Sequence, residues 1–264
     1  LFDNLGSLAG QQGMLDSAEA LHAEALRIKQ ELFPGDHVTV ALSLNNLAVG
    51  YGMRGKFAPA ESLHREAAAM ISRIHGEKHP ATASILNSLA GILDFTGNDG
   101  AGPLYQKVLA IRREILGPEH PDYAWTLYNY AGWLVGKGRH EEAAAAAREV
   151  LALRGSALND VHPAVGGSYI TLGRALLALG QLEEAETAIR ESILIRSTNL
   201  PAGHWVITSS EVALAEVYLA EGKRQEALRI LERAVPKLTE TVGAEHPRTK
   251  DAIRLLAEAG GQPT

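Results

Sequence analysis

The fold is decided by one stretch of sequence, which reads Leu44-Asn45-Asn46-Leu47-Ala48-Val49-Gly50-Tyr51, then Gly55, Ala60-Glu61-Ser62-Leu63 and finally Gly76-Glu77-Lys78-His79-Pro80. The apolar residues before Gly55 recur at helical spacing, and a glycine just past a helix readily takes the left-handed conformation that ends it. A second segment of helical spacing follows. The stretch therefore predicts two helices joined by a tight turn.

Three residue types repeat this arrangement along the whole chain. Glycine recurs in the turn, alanine recurs early in the second helix, and histidine precedes the next first helix at steps of 42, 41, 42, 42 and 42 residues. The series are Gly13, Gly55, Gly97, Gly138, Gly180 and Gly222; Ala18, Ala60, Ala101, Ala143, Ala185 and Ala227; and His37, His79, His120, His162, His204 and His246. Three series in phase indicate an internal repeat, and a helix pair buries its apolar face only by stacking on its neighbours.

The sequence thus predicts an all-α fold, a right-handed α-solenoid of stacked antiparallel helix pairs with a C-terminal capping helix. We treat residues 1–264 as a single domain, with repeats at about 1–36, 37–78, 79–119, 120–161, 162–203 and 204–245 and a cap at 246–260. The predicted helices span residues 1–12, 16–33, 38–54, 57–75, 80–96, 100–116, 121–137, 140–154, 163–179, 182–198, 205–221, 224–241 and 247–259. No equivalent cap precedes Leu1, so we expect a fragment of a longer protein.

Composition narrows the classes of function. The 31 acidic and 25 basic residues give a net charge of −6, which disfavours a nucleic-acid-binding module. Cysteine is absent, so the chain forms no disulfide and offers no thiolate nucleophile. No apolar run reaches the roughly 18 residues that a membrane span needs. We therefore expect a cytoplasmic protein that binds no nucleic acid and does not insert into a membrane.

The repeat resembles the tetratricopeptide repeat. Its signature of leucine, small residue, aromatic, turn glycine and second-helix alanine matches Leu47, Ala48, Tyr51, Gly55 and Ala60. The usual period is about 34 residues. The longer period, Asn-Asn-Leu-Ala in the first helix and Gly-x-x-His-Pro between repeats resemble the kinesin-light-chain type, which also occurs in bacterial signalling proteins. The resemblance implies a protein-interaction scaffold whose first helices line a groove for a peptide or a partner helix.

The same resemblance indicates where a peptide would bind. Two adjacent positions of the first helices carry asparagine in several repeats, and in related families the second of them faces the groove and hydrogen-bonds a peptide backbone. Aromatic residues in repeat four and an arginine in repeat five are of types common at binding hot spots. The predicted peptide-binding residues are Asn4, Asn45, Asn46, Asn87, Trp125, Tyr128, Asn129 and Arg174. Packing between helices is the alternative role of the asparagines and of Trp125.

The recurring histidines allow two interpretations. As structural residues they hydrogen-bond a loop carbonyl or pack over the start of the next helix. As metal ligands they would have to converge, but stacked helices lie about 8–10 Å apart, whereas zinc holds its ligands at about 2 Å. We predict the structural role and no metal site. Pro236, inside the second helix of repeat six, is expected to kink that helix or end it early.

No catalytic constellation is visible in the sequence. Phosphate-binding loops, a zinc-protease helix and a nucleophile elbow are all missing, so we predict no enzyme activity and no cofactor. The leading hypothesis is a non-catalytic scaffold, part of a larger bacterial signalling or regulatory protein, that binds a peptide or partner helix in its groove. Two alternatives stay open: self-assembly through the uncapped N-terminal end, giving a homo-oligomer, and sensing of a small ligand.

Overall fold

The computed structural model describes residues 2–12, 14–153 and 163–260, and this part of the chain contains thirteen helices and no strand. The helices are α1 (Phe2–Gln11), α2 (Leu15–Leu32), α3 (Val38–Met53), α4 (Phe57–His75), α5 (Pro80–Phe95), α6 (Ala101–Ile115), α7 (Pro121–Gly136), α8 (His140–Ala152), α9 (Pro163–Ala178), α10 (Leu182–Asn199), α11 (Trp205–Ala220), α12 (Arg224–Val242) and α13 (Pro247–Glu258). The predicted helices and the all-α solenoid class are confirmed. We call the odd-numbered helices A helices and the even-numbered ones B helices.

The chain divides inside α7 into two compact units, residues 1–129 and residues 130–264. In the first unit, each of α1 to α5 packs on the helix that follows it, and the A helices α1, α3 and α5 also contact one another in sequence order. In the second unit, α8 to α13 pack in the same way, with α11 touching both α9 and α13. Each unit therefore has a wall of A helices. The assignment of all repeats to a single domain stays a prediction.

The glycine and alanine series have the roles that their positions indicate. Gly55, Gly97, Gly138, Gly180 and Gly222 all have φ between +71° and +78°, a conformation that other residues rarely adopt. The alanines are buried where the helices of a pair approach each other. A larger side chain there would push the two helices apart. Gly13 lies outside the described residues.

The recurring histidines cap the helices that follow them. In each case Nδ1 accepts a hydrogen bond from the backbone N–H two residues later, over 3.1–3.3 Å: His37 from Thr39, His79 from Ala81, His120 from Asp122, His204 from Val206 and His246 from Arg248. The ring thus does for an otherwise unpartnered N–H what serine or aspartate does at most helix starts. The predicted position over the helix start is confirmed. The expected bond to a carbonyl is replaced by one from an amide. His162 lies outside the described residues.

The second helix of repeat six does not stop at its proline. α12 continues past Pro236 to Val242, so the prediction that it ends early is wrong. Proline removes one backbone hydrogen bond from a helix. Ala234, Val235 and Leu238 beside it are buried, and we attribute the continuity of the helix to this packing.

Candidate functional site

Helix α3 exposes a stripe of apolar side chains on the A-helix wall of the first unit. Leu42, Val49 and Met53 are exposed, and Asn46 lies half-buried among them. Spacings of four, three and four residues place these four side chains on one face of the helix. Helix α3 contains no charged residue. The stripe is therefore apolar and uncharged, with one amide near its centre.

The neighbouring helix α5 extends this surface. Phe95 occupies the repeat position of Met53 and is 71% exposed, with its ring centroid 4.7 Å from that of Phe57. The two A helices approach closely, because a Cβ built on Gly52 would lie 3.4 Å from Cδ1 of Ile92. We call Leu42, Asn46, Val49, Met53 and Phe95 together the apolar face.

The predicted aromatic residues of repeat four form a pair on α7. Trp125 occupies the repeat position of Leu42 and is 37% exposed. Its ring centroid lies 5.6 Å from that of Tyr128, with the planes tilted by 46°. Asn129 follows on the same helix and is half-buried, like its repeat equivalent Asn46. The structure thus brings Trp125 and Tyr128 into contact and leaves part of the indole exposed.

The other predicted asparagines differ in burial. Asn4 is exposed on α1, whereas Asn45 and Asn87 are half-buried. The Oδ1 atoms of Asn45 and Asn87 are buried and accept no hydrogen bond. The alternative that these two amide oxygens bond a neighbouring helix is therefore not what the structure shows. A buried acceptor without a donor costs free energy, and a donor that reached it would recover that cost.

A polar network joins the first two helix pairs. It is centred on Asp3, which occupies the repeat position of Asn45 and Asn87. The carboxylate of Asp3 accepts from Lys29 Nζ and from Ser43 Oγ, both at 2.6 Å, and lies 3.1 Å from Nδ1 of His22. Lys29 also donates to Ser43 Oγ at 2.8 Å. Burial by itself would raise the pKa of the Asp3 carboxyl. The hydrogen bonds from Lys29, Ser43 and His22, together with the charge of Lys29, outweigh burial and lower it to about 2.

The junction between the second and third helix pairs holds different residues at these positions. Asn45, His64, Ile71 and Ile85 stand one repeat after Asp3, His22, Lys29 and Ser43. His64 is buried with no hydrogen bond at Nδ1, and burial lowers its pKa to about 4. Ile71 and Ile85 belong to the hydrophobic core of the first unit. The same four positions thus form a paired polar network at one junction, whereas at the next two of them are isoleucine and the other two are an asparagine and a histidine with unpartnered atoms.

Cation–hydroxyl contacts recur at two further junctions between B and A helices. Arg112 donates to the Asp122 carbonyl at 2.6 Å and to the Thr126 hydroxyl, and burial lowers its pKa against the opposing charge of Asp122. In the second unit, Arg196 donates to Ser210 Oγ at 2.6 Å. At each of these junctions the cation stands eight residues before the recurring histidine and the hydroxyl six after it.

Arg174 belongs to the second unit and not to the apolar face. It lines an open cavity of about 340 Å³ on the A-helix wall of that unit. The other lining residues are Val135, Leu177, Ala178, Val212, Glu216, Asp251, Arg254 and Leu255. The predicted site residues therefore fall into two groups, one in each unit.

Sequence reasoning missed the apolar half of the face. Leu42, Val49, Met53 and Phe95 are ordinary residues for helix packing, and only their exposure distinguishes them. A signal was present, since all four share a helix face with the asparagine position of their repeat. Aligning exposed-face positions across repeats, and not only the asparagines, would have found them.

Two features are absent from the part of the chain that the structure describes. No three histidine, aspartate or glutamate side chains in this part of the chain are grouped so as to hold a metal ion. None of its helices combines the length and apolar character that crossing a lipid bilayer requires.

Comparison with known proteins assigns the class. Sequence models of the tetratricopeptide repeat match residues 1–72, 98–156, 166–191 and 212–248. Comparison with curated proteins gave no significant match. The paired helices, the turn glycines and these matches define a helix-pair repeat protein. The chain belongs to the tetratricopeptide repeat family.

Solved structures place it within that family. A kinesin light chain candidate from Podosopora anserina, with nearly identical TPR-like repeats, is 28% identical, with a TM-score of 0.64 over 78% of this chain and 98% of that one. BtubC (BKLC) from P. vanneervenii is 24% identical, with a TM-score of 0.70 over 88% of this chain and 94% of that one. The resemblance to the kinesin-light-chain type of repeat is confirmed. Proteins of this fold generally mediate protein–protein interaction.

Proposed function

We propose that this chain is a non-catalytic interaction scaffold that binds an extended peptide, or the apolar side of a partner helix, on the apolar face of its first unit. The observation that carries the proposal is the exposure of Leu42, Val49, Met53 and Phe95 around Asn46 on two adjacent A helices. Contiguous exposed apolar patches on a folded protein mark interaction sites. We also propose that this chain is part of a larger bacterial signalling or regulatory protein.

The chemistry of the face indicates the kind of partner. The A helices α3 and α5 carry one acidic residue, Asp94, and no basic residue. A strongly acidic or basic peptide would therefore find little charge to pair with. An uncharged segment rich in aliphatic or aromatic side chains would bury Met53 and Phe95 and gain hydrophobic free energy. The amide of Asn46 both donates and accepts, so it suits the backbone of an extended chain.

Selection from a displayed peptide library on the purified chain tests this proposal. Enriched peptides should be apolar, and Met53→Lys and Phe95→Lys should each weaken their binding at least about tenfold, the effect of losing one hot spot. Asn46→Ala should weaken it less. Leu194→Lys is the matched control, because Leu194 is 59% exposed on α10 and is not part of this face. Peptides that bind the face variants as tightly as the original chain would contradict the proposal.

Self-assembly is a second candidate that one observation favours. On α1, Phe2, Leu5 and Leu8 are exposed, although the equivalents of the first two on α3, Leu44 and Leu47, are buried under neighbouring helices. Two copies could cover these residues by facing each other through α1. Light scattering at increasing concentration decides: association that Leu5→Glu abolishes supports it, and a monomer at all concentrations removes it.

A further inference from the structure

The first unit exposes two separate apolar surfaces. One is the outward side of α1, where Phe2, Leu5 and Leu8 are exposed, and the other is the apolar face on α3 and α5. Together they contain most of the large apolar side chains that are exposed among the described residues of this unit. An arrangement that covers only one of the two surfaces therefore leaves the other in contact with water.

Helix α5 carries small residues where α3 carries larger ones. The repeat positions of Leu42, Asn46 and Val49 are filled on α5 by Ser84, Ser88 and Gly91. Arg112 donates to Ser84 Oγ at 3.4 Å and also to the hydroxyl of Thr126, so the start of α7 lies beside this row. The row is therefore the floor of a trough, with α3 on one side, Trp125 of α7 on the other and Phe95 at its end.

The outward side of α1 matches the trough in chemistry. Asp3 is the only charged residue of α1, and its carboxylate is held inside the polar network of the first two helix pairs. The trough is bordered by α3, which has no charged residue, and is built on α5, whose only charged residue is Asp94. Contact between α1 and the trough would therefore bury apolar side chains without opposing like charges.

Length and shape also agree. The ten residues of α1 span about 15 Å, and the eleven steps from Ser84 to Phe95 span about 16 Å, at about 1.5 Å per residue. Two α1 helices facing each other would cover only Phe2, Leu5 and Leu8 of each copy and leave the apolar face exposed. A single helix lying in the trough covers both surfaces, and the hydrophobic free energy grows with the apolar area that is buried.

We propose that α1 of one copy docks into the trough of a second copy of this chain, between α3 and the start of α7. The pairing rests on the apolar face acting as a binding surface, as proposed above, and makes the α1 helix of another copy its occupant. Because the two contacting surfaces differ, each copy offers one helix and one trough.

Complementation between two variants tests this pairing in sedimentation velocity at concentrations up to about 1 mM. Leu5→Glu removes the helix surface and Phe95→Lys the end of the trough, so each variant alone should associate at least tenfold more weakly than the original chain. An equimolar mixture should associate again, because the first variant keeps its trough and the second keeps its α1. Leu194→Lys, exposed on α10 and outside both surfaces, should leave association unchanged.

Other contacts between copies give different patterns. Sensitivity to Leu5→Glu but not to Phe95→Lys would identify contact between two α1 helices, the reverse would identify contact between two apolar faces, and either overturns the proposal. A monomeric original chain or a mixture that stays monomeric also overturns it. Leu8→Glu and Val49→Lys replace a first variant that circular dichroism shows to be unfolded. Apolar peptides that bind the face of a monomeric chain would leave the proposed peptide binding intact.

Discussion

The junction between the first and second helix pairs and the junction between the second and third fill the same four positions differently. In the first, Asp3, His22, Lys29 and Ser43 form a connected polar network; in the second, their equivalents include two isoleucines. The backbone repeat is the same at both junctions, since the glycine, alanine and histidine series run through them. The repeat therefore tolerates either chemistry at a junction, provided that the residues facing each other are both polar or both apolar.

The largest expected effect on stability comes from placing lysine, as found at Lys29 in the first set, at the equivalent position of the second set, which is Ile71. Ile71→Lys places a cation where Ile85 offers no acceptor, and we expect the free energy of unfolding to fall by about 4 kcal/mol. Ile71→Leu, the control, should cost about 1 kcal/mol. The double variant Ile71→Lys with Ile85→Ser should lose less than the first alone. Denaturant unfolding measures all three; a lysine variant as stable as the leucine variant would contradict this account.

Acid should destabilise the fold through His64, the buried histidine of the second set. The pKa of His64 lies near 4, below the 6.5 of an unfolded histidine, because burial disfavours the charged ring. The neutral ring therefore stabilises the fold fully above pH 6.5, and this contribution is lost as the pH falls towards 4, by about 3 kcal/mol. His64→Leu, which introduces the residue that repeat six has here as Leu231, should abolish the loss. A wild-type stability that is flat across this window would refute the assignment.

Replacing Asp3 by asparagine, the residue at the equivalent position of the second set, should have a smaller effect on stability. The pKa of Asp3 is lowered to about 2 from 3.8, so the stability it contributes is present above pH 3.8 and lost as the pH falls towards 2. Asp3→Asn should cost about 2 kcal/mol at neutral pH and remove this acid-dependent step. Asp16→Asn, which breaks only an exposed ion pair with Arg54, should change stability by less than about 1 kcal/mol. Equal losses in the two variants would show that the buried network adds nothing.

The smallest effect should be the same in both repeats. His37 and His79 cap α3 and α5 through equivalent hydrogen bonds, so His37→Ala and His79→Ala should each cost about 1 kcal/mol. Asparagine at either position should restore most of the loss, because its side chain accepts the same amide hydrogen. Thermal unfolding of the four variants is sufficient. Clearly unequal costs at the two positions would place the caps among the differences between the repeats.

The repeating parts of this fold were predictable because each is imposed by local geometry. A positive φ in the turns after α3, α5, α7, α9 and α11 demands glycine, and a close crossing within each pair demands alanine, so both leave a period in the sequence. The prediction that α12 ends early at Pro236 was wrong because the packing of its buried neighbours overrode the local rule that proline disfavours a helix interior. The isolated amide oxygens of Asn45 and Asn87 and the exposure of Phe95 depend on contacts between repeats, which no single segment of sequence records.

The pairing between position eight before the histidine and position six after it also limits how such a chain can be rearranged. Each pair spans the boundary between two repeats, as Lys29 with Ser43 and Ile71 with Ile85 do. Excision of residues 38–79 would keep every remaining helix whole, yet it would bring Lys29 opposite Ile85. The junctions thus restrict which repeats can follow one another: an apolar end does not match a cationic or hydroxyl end, whereas the three cation–hydroxyl junctions are alike in chemistry. A shuffled chain with unmatched ends would be destabilised at its junctions and not within its helices.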